Sequence, residues 1–345
     1  MTHQYPLDTL WENLGASFEQ LPEGKVPLHF SSPDQEYHAA QTQSVLFDLS
    51  RRGKIRVTGA DRLLVLHRLL TQDLKSLGEG REARAAFLTA QGKIIGEMNV
   101  YILAGRIILD LEAGLEQKMR AALERFIITE DVVLHAEGAE SAHLSLWGPE
   151  VPAVLKKIFG ADTAQMLDQQ TLETPAGILI IKKKLLKRSC HEIIIPREDA
   201  RNVADRLLDA GVSPAGETVY EMLRIEEGLL RYGRDMDETV TLPETGLDKT
   251  AASDTKGCYP GQEVVARTNT YQGHAKKMVR MEWCGLKVPA AGEKIYSGDC
   301  EAGWITSACA LPDRDGGYAL AYLLKPYFQQ SGPFISQTAV LHKKS

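Results

Sequence analysis

Residues 255–267 read TKGCYPGQEVVAR, a stretch that places a thiol, two cations and a carboxylate among chain-bending residues. Gly257, Pro260 and Gly261 predict a turn, because glycine reaches positive φ cheaply and proline fixes φ while removing a donor. Cys258 is therefore expected at the tip of a loop. Residue types alone favour a plain turn that holds a small, inert cysteine.

The alternative interpretation of this stretch is a reactive site. A thiol reacts as its thiolate, and the ammonium group of Lys256 would favour that form if the two side chains converge. Gln262, Glu263 and Arg267 then offer an amide, a carboxylate and a guanidinium group to a polar ligand.

Residues 256–263, KGCYPGQE, resemble the K-G-C-Y-x-G-Q-E signature of the YgfZ-type folate-binding proteins. These proteins are relatives of the glycine-cleavage T-protein, an aminomethyltransferase. Shorter matches to T-protein motifs follow in the family's order: FDLS at 47–50, LTQD at 70–73, LRIE at 223–226 and YGRD at 232–235. Each short match is weak, and their shared order makes the resemblance specific.

The resemblance implies an α+β fold of three domains in a cloverleaf, with a C-terminal β-barrel. The domains it implies are a discontinuous folate-binding domain at 1–50 and 142–272, an inserted α+β domain at 51–141, and a small barrel at 273–345.

The resemblance also implies site residues. Cys258 and Lys256 would be catalytic, and tetrahydrofolate would be bound by a second set: Glu192, Arg224, Met98, Val100, Tyr259, Gln262, Glu263 and Arg267. A folate presents an aminopyrimidine edge that donates hydrogen bonds, a flat ring and an anionic tail, which call for a carboxylate, apolar walls and an arginine. The plainer alternatives are a polar strand residue for Glu192, an ion-paired helix residue for Arg224 and core packing for Met98 and Val100.

Two functions follow from the resemblance. The first is a tetrahydrofolate-binding protein that supports the assembly or maintenance of iron–sulfur enzymes, with iron–sulfur client or assembly proteins as partners. The alternative is a folate-dependent aminomethyltransferase, which would make the chain a one-carbon transferase. The first is favoured, because the T-protein motif carries an Asp-Asp pair where this chain has Gly96-Glu97, and proton transfer needs a group within hydrogen-bond reach.

Composition bounds the remaining possibilities. The chain has 345 residues, is 43% apolar and has a formal charge of −6, so it can build a large core and offers no broad basic field for nucleic acid. It contains no apolar run of the length that spans a bilayer and no basic-then-apolar leader at Met1–Pro6, which predicts a cytoplasmic protein.

None of the five cysteines forms a C-x-x-C pair, so no metal site is predicted. Cys284, Cys300 and Cys309 fall in strand-like segments and are expected to be buried.

Periodicity predicts strands and helices mixed with hairpins up to about residue 228, which favours an α+β layer over a parallel doubly wound sheet. Residues 229–273 show few periodic signals and are predicted to form a long functional loop. From Lys276 onward, short strands separated by glycine and proline predict a small barrel or sandwich.

Overall fold

The computed structural model describes residues 4–184, 189–271, 273–285, 287–312 and 314–344. Three of the predictions fall on residues outside these ranges: the absence of a leader, in part, at Met1–His3, and the domain ends at 272 and 345.

The chain divides into two compact units. The first comprises Met1–Leu66, Leu74–Ala83 and Met98–Tyr220, and the second comprises His67–Asp73, Arg84–Glu97 and Glu221–Ser345. The three-domain boundaries implied by the resemblance stay a prediction.

The strands up to residue 214 are β1 (Ser17–Leu21), β2 (Gly24–His29), β3 (Val45–Asp48), β4 (Gly53–Thr58), β5 (Arg81–Leu88), β6 (Ile94–Leu103), β7 (Arg106–Leu111), β8 (Val133–Ala136), β9 (Ser141–Trp147), β10 (Thr171–Glu173), β11 (Leu179–Lys184), β12 (Ser189–Pro196) and β13 (Ser213–Pro214). The helices up to residue 227 are α1 (Asp8–Asn13), α2 (Pro33–Thr42), α3 (Arg62–Leu69), α4 (Glu116–Glu124), α5 (Val151–Phe159), α6 (Arg197–Asp209) and α7 (Glu217–Glu227).

The first unit contains a six-stranded sheet and the greater part of a five-stranded sheet. The six-stranded sheet runs in the order β10-β11-β12-β9-β3-β13, and the five-stranded sheet runs in the order β5-β6-β7-β4-β8. One face of the six-stranded sheet packs on helices α1, α5 and α6 through a core that includes Leu144, Ile180 and Ile193. Its other face packs on β6 and β7 through a second cluster: Tyr101, Leu103, Ile108, Leu179, Ile181 and Ile194. Cover on both faces explains the apolar runs Leu179–Ile181 of β11 and Ile193–Ile195 of β12.

The second unit contains a closed barrel in the strand order β14-β17-β16-β15-β18-β19. Its strands are β14 (Lys276–Cys284), β15 (Lys294–Ser297), β16 (Cys300–Ala310), β17 (Gly317–Leu324), β18 (Phe334–Ile335) and β19 (Val340–Lys343), with a short 3-10 helix at Lys325–Tyr327. Pairing of β14 with both β17 and β19 closes the barrel, and closure removes exposed strand edges. The predicted C-terminal β-barrel is confirmed, as is the mixed α+β class.

The predicted long loop at 229–273 was wrong in part. It contains the short helices α8 (Leu242–Thr245) and α9 (Asp248–Ala251) and the ten-residue helix α10 (Gln262–Tyr271). Helix α8 begins with a capping box, in which Thr241 and Glu244 satisfy each other's backbone N–H groups. That Thr-Leu-Pro-Glu pattern is a readable signal for the start of a helix. Apolar periodicity does not reveal α8, because the helix is only four residues long.

Across the part of the chain that the structure describes, every helix is too short or too polar to pass through a bilayer.

Candidate functional site

Strand β12 places Glu192 in the space between the two sheets of the first unit. Glu192 lies opposite Ile181 of β11 and opposite Ser145 of β9. Because side chains alternate along a strand, Lys183 on β11 and His143 on β9 are its diagonal neighbours on the same face. The side chain of Glu192 is 11% exposed.

Three polar groups lie around one oxygen of this carboxylate, and one of them donates a hydrogen bond to it. The Tyr101 hydroxyl donates to Glu192 Oε2 at 3.0 Å, His143 Nε2 lies 3.4 Å from the same oxygen, and Lys183 Nζ lies 3.6 Å from it. No contact from a described residue falls on Oε1. Glu192 is thus held by one oxygen, and the other can accept hydrogen bonds from a ligand.

Lys183 connects Glu192 to a second carboxylate. Its ammonium group also donates to Glu82 Oε1, and Glu82 Oε2 is buried with no hydrogen-bond partner among the described residues. Burial lowers the pKa of Lys183, but the charges of Glu192 and Glu82 outweigh it and raise that pKa above its ordinary value. Burial likewise raises the pKa of Glu192, and the Lys183 ammonium, followed by His143, brings it well below its usual range. Glu192 is therefore ionised at neutral pH.

Asp110 continues the polar cluster on the far side of His143. His143 Nδ1 lies 3.6 Å from Asp110 Oδ1, and Arg52 Nε donates to both oxygens of Asp110 at 3.0 and 3.1 Å. Asn99 Nδ2 donates to Asp110 Oδ2 at 3.0 Å. Both His143 and Asp110 are fully buried, and the imidazole lies between the carboxylates of Asp110 and Glu192 without a hydrogen bond from either ring nitrogen to a described residue.

Met98 and Val100 alternate along β6 with Asn99 and Tyr101. The Tyr101 hydroxyl contacts Glu192, so Met98 and Val100 lie on the opposite face of the strand from that contact. Both are fully buried. The structure therefore does not bring these two apolar residues onto one surface with Tyr101 and Glu192, and their role as pocket walls stays a prediction.

Lys256 has a different environment from the predicted one. Its ammonium group donates to the carbonyl oxygens of His67 and Leu70, and to that of Gln72 at 3.3 Å. These carbonyls lie at the C-terminal end of α3, where they have no helical partners and attract a cation. Burial lowers the pKa of Lys256 to about 8. Its three N–H donors are thus used by the backbone, which leaves none to hold the Cys258 thiolate.

The rest of the 255–267 stretch is divided between packing and exposure. Tyr259 is buried, burial raises the pKa of its hydroxyl to about 12, and Lys256 Nζ lies 5.1 Å from the centre of its ring. Cys258 is exposed in the loop, as predicted. On α10, Gln262 is half-buried, whereas Glu263 and Arg267 are exposed. Ligand roles for these residues stay predictions.

Arg224 on α7 is saturated with protein acceptors. Its Nε and Nη2 donate to the two oxygens of Glu221, each at 2.6 Å, and Nη2 also donates to Ser307 at 2.9 Å. Its Nη1 donates to the Leu229 carbonyl at 3.0 Å and to Asp235 at 2.8 Å. A guanidinium group has five N–H donors, and all five have acceptors here. A folate carboxylate could bind Arg224 only by displacing one of them.

The position that departs from the T-protein motif is on β6. Gly96 is buried, and the neighbouring Glu97 is ion-paired with Arg84 on β5. Alternation along the strand directs Glu97 to the opposite face from position 96. This agrees with the expectation that Glu97 does not replace the missing carboxylate.

The structure corrects the expectation for the cysteines. Cys190 and Cys309 are buried, but Cys284 and Cys300 are exposed together with Cys258. Cys284 ends β14 and Cys300 begins β16, and a strand end loses the cover that the strand interior has. Burial raises the pKa of Cys309 to about 12 and that of Cys190 above its ordinary value.

Sequence reasoning selected Glu192 and missed the residues that hold it: Lys183, Tyr101, His143, Glu82 and Asp110. His143 had a readable signal, since a polar residue among the apolar residues of β9 must have a buried partner. Lys183 had none, because it stands among three consecutive lysines at 182–184. Tyr101 and Glu82 had none, because their contacts with this cluster depend on how separate strands pack.

These features define a class of protein: a two-unit α+β protein with a C-terminal β-barrel and a buried, ionised carboxylate in its first unit. The family model described as the GCVT N-terminal domain matches residues 7–255, and the chain belongs to this family. Aminomethyltransferases from Rubrobacter xylanophilus and Bacillus licheniformis are each 28% identical to it, the first over 90% of this chain and 84% of its own length and the second over 94% and 91%. The crystal structure of glycine cleavage system aminomethyltransferase T from Bartonella henselae superposes with a TM-score of 0.91 at 24% identity, covering 100% of this chain and 97% of that one.

The comparisons confirm the predicted T-protein fold. Aminomethyltransferases of this family use tetrahydrofolate, which agrees with the predicted cofactor. The comparisons also correct the predicted function. The curated relatives are named aminomethyltransferases over nearly the full chain, so support of iron–sulfur enzymes was the wrong main function and the aminomethyltransferase alternative is better supported.

Proposed function

We propose that this protein binds tetrahydrofolate and acts as a folate-dependent aminomethyltransferase. The observation that carries the proposal is the Glu192 carboxylate, which is ionised and held through Oε2, while no described residue contacts Oε1. The similarity to aminomethyltransferases over nearly the full chain supports the same conclusion. When bound, the reduced folate would supply the nitrogen that carries the one-carbon group.

The donor set fits the aminopyrimidine edge of a folate. That edge donates hydrogen bonds, and an ionised carboxylate is an acceptor that gives roughly twice the strength of a neutral one. Glu192 would bind and orient the edge through Oε1, while Tyr101, His143 and Lys183 prevent the carboxylate from rotating. Hydrogen bonds to a charged group contribute about 1.5–3 kcal/mol each, so this residue would account for a substantial part of the affinity.

Titration calorimetry with tetrahydrofolate kept under nitrogen tests binding. Glu192→Gln keeps the shape of the side chain and removes its charge, so affinity should fall roughly 10- to 100-fold. Glu173→Gln is the matched control, because Glu173 on β10 is ion-paired with Arg106 and 29% exposed. Equal affinity of the Glu192→Gln variant and the wild-type protein would remove Glu192 from the site.

A glycine-cleavage assay with the lipoylated carrier protein and tetrahydrofolate tests the reaction. Turnover that depends on both the carrier and tetrahydrofolate supports the aminomethyltransferase. Tight binding of tetrahydrofolate without turnover would contradict it.

A second candidate is a module that binds folate without transferring aminomethyl groups. Gly96 favours it, because a buried glycine cannot exchange a proton with a reacting nitrogen and Glu97 is occupied by Arg84. The KGCYPGQE match at 256–263 also favours it. The binding and turnover measurements together separate the two candidates.

A further inference from the structure

Lys183 lies in the polar cluster around Glu192, and its position is not explained by the binding of a ligand to Glu192 alone. Lys183 lies between two carboxylates, with its ammonium group bonded to Glu82 and 3.6 Å from Glu192 Oε2. Its side chain is 13% exposed, and its ammonium group also lies 5.7 Å from the centre of the Tyr101 ring. Burying a charge this deeply is costly unless its partners compensate it.

The surroundings of Glu192 are rich in negative charge. Among the residues that the structure describes, the titratable and charged groups that face it from the neighbouring strands are Lys183, Tyr101, His143, Glu82, Asp110 and Arg52. Glu82 and Asp110 are anions that disfavour a charge on Glu192. Arg52 is a cation, but its guanidinium group is bonded to Asp110 and Glu112.

We propose that Lys183 is a positioning residue for Glu192. It holds the Glu192 carboxylate in its ionised, acceptor-only form and fixes Oε2, so that Oε1 faces the ligand. The proposal rests on the proposed tetrahydrofolate binding and assigns the residue that makes that binding independent of pH in the neutral range. A protonated Glu192 would present an O–H donor to a donor edge, which binds it poorly.

The consequence is a shift in pH dependence. Burial raises the pKa of the Glu192 carboxyl group, the charges of Glu82 and Asp110 act in the same direction, and the Lys183 ammonium group is the strongest opposing influence. Without Lys183 that opposition is lost, and burial can raise the pKa of a carboxyl group by up to about 3–5 units above its ordinary value. The pH below which affinity falls should therefore move upward, into the range between about pH 5 and 8. Between about pH 5 and 8, where folded proteins are usually most stable, the wild-type carboxylate stays ionised and that of a Lys183→Met variant becomes protonated as the pH falls.

The test compares Kd for tetrahydrofolate by calorimetry between pH 5 and 8, as the ratio of the Lys183→Met variant to the wild-type protein. The ratio cancels any titration of the ligand. The ratio of the two Kd values should be close to one at pH 8 and rise about tenfold or more by pH 5. Lys183→Arg should restore a ratio near one, and Lys184→Met, on the same strand but exposed, should have no effect. A ratio that is the same at all pH values would overturn the inference, because loss of packing alone does not depend on protonation.

Infrared spectroscopy detects the protonation of the Glu192 carboxylate without a ligand. Glu82 also loses its ammonium partner in a Lys183 variant, so the comparison is made with Glu82→Gln in every protein. The stretching band of a protonated carboxyl group should grow near pH 5 in Glu82→Gln/Lys183→Met, and this growth should be absent from Glu82→Gln/Lys183→Met/Glu192→Gln. Its absence from both would overturn the inference. If the band appears but the wild-type protein does not bind tetrahydrofolate, then the ionisation role stands and the proposed function fails. If Lys183→Met does not fold, Glu82→Gln/Lys183→Met, which removes one charge of each sign, takes its place in the calorimetry with Glu82→Gln as its reference.

Discussion

Gly261 lies so close to Gly92 that a β-carbon on Gly261 would be 2.9 Å from the α-carbon of Gly92 and 2.6 Å from the carbonyl oxygen of Thr89. The φ angle of Gly261 is +80°, a region that side chains other than that of glycine rarely adopt. The last glycine of the KGCYPGQE stretch is therefore where the loop that carries Cys258 packs on the turn between β5 and β6.

Gly261→Ala should destabilise the protein by roughly 2–5 kcal/mol, because it adds both backbone strain and overpacking against backbone atoms. Urea unfolding measures the change. Gly257→Ala in the same loop is the control, since a β-carbon there meets nothing within 4 Å, and it should be neutral or stabilising by up to about 1 kcal/mol. Equal effects of the two substitutions would show that the close packing of Gly261 is unimportant.

The sequence predicted the loop around Cys258 because glycine and proline act locally. It could not predict the role of Lys256, since the three carbonyls that bind its ammonium group belong to His67, Leu70 and Gln72, more than 180 residues earlier in the chain. The same limit applies to Tyr101 and Glu192, whose contact depends on how β6 packs against β12. Strand and barrel positions were predictable because alternation and turn residues are local signals.

Arg224 should prove to be a structural residue. Arg224→Met removes the partner of Asp235, whose side chain is fully buried, and leaving a buried charge unpaired costs about 3–5 kcal/mol. Arg234→Met is the matched control, because Arg234 also pairs with Glu221 but is 48% exposed, and it should cost at most about 1 kcal/mol. Urea unfolding measures both. A stable Arg224→Met protein that no longer binds tetrahydrofolate would instead assign Arg224 to the ligand.

The five cysteines should separate into two groups on alkylation of the native protein. Cys258, Cys284 and Cys300 are exposed and should be labelled by iodoacetamide at neutral pH, whereas Cys190 and Cys309 are buried, with raised thiol pKa values, and should be labelled only after unfolding. Mass spectrometry of peptides identifies the labelled sites, and Cys258→Ser should lose one label without exposing the buried pair. Labelling of Cys190 in the native protein would contradict the packing of β12.

His191 should make stability depend on pH. It is fully buried on β12, and burial, followed by the charge of Lys182 opposite it on β11, lowers the pKa of His191 to about 4. The unfolded chain has an ordinary histidine pKa of about 6.5. Between these two values the unfolded state takes up a proton that the folded state does not, so the contribution of His191 to stability is present above about pH 6.5 and is lost as the pH falls towards 4.

At pH 5 this loss should be roughly 2 kcal/mol relative to pH 7. His191→Gln cannot take up the proton, so its stability should fall less over the same interval, and urea unfolding at the two pH values measures the difference. Lys182→Met tests the cause, because removing that charge should raise the pKa of His191 and reduce the loss without removing the imidazole. If the wild-type protein and His191→Gln lose the same stability between pH 7 and pH 5, the imidazole is not held neutral in the folded state.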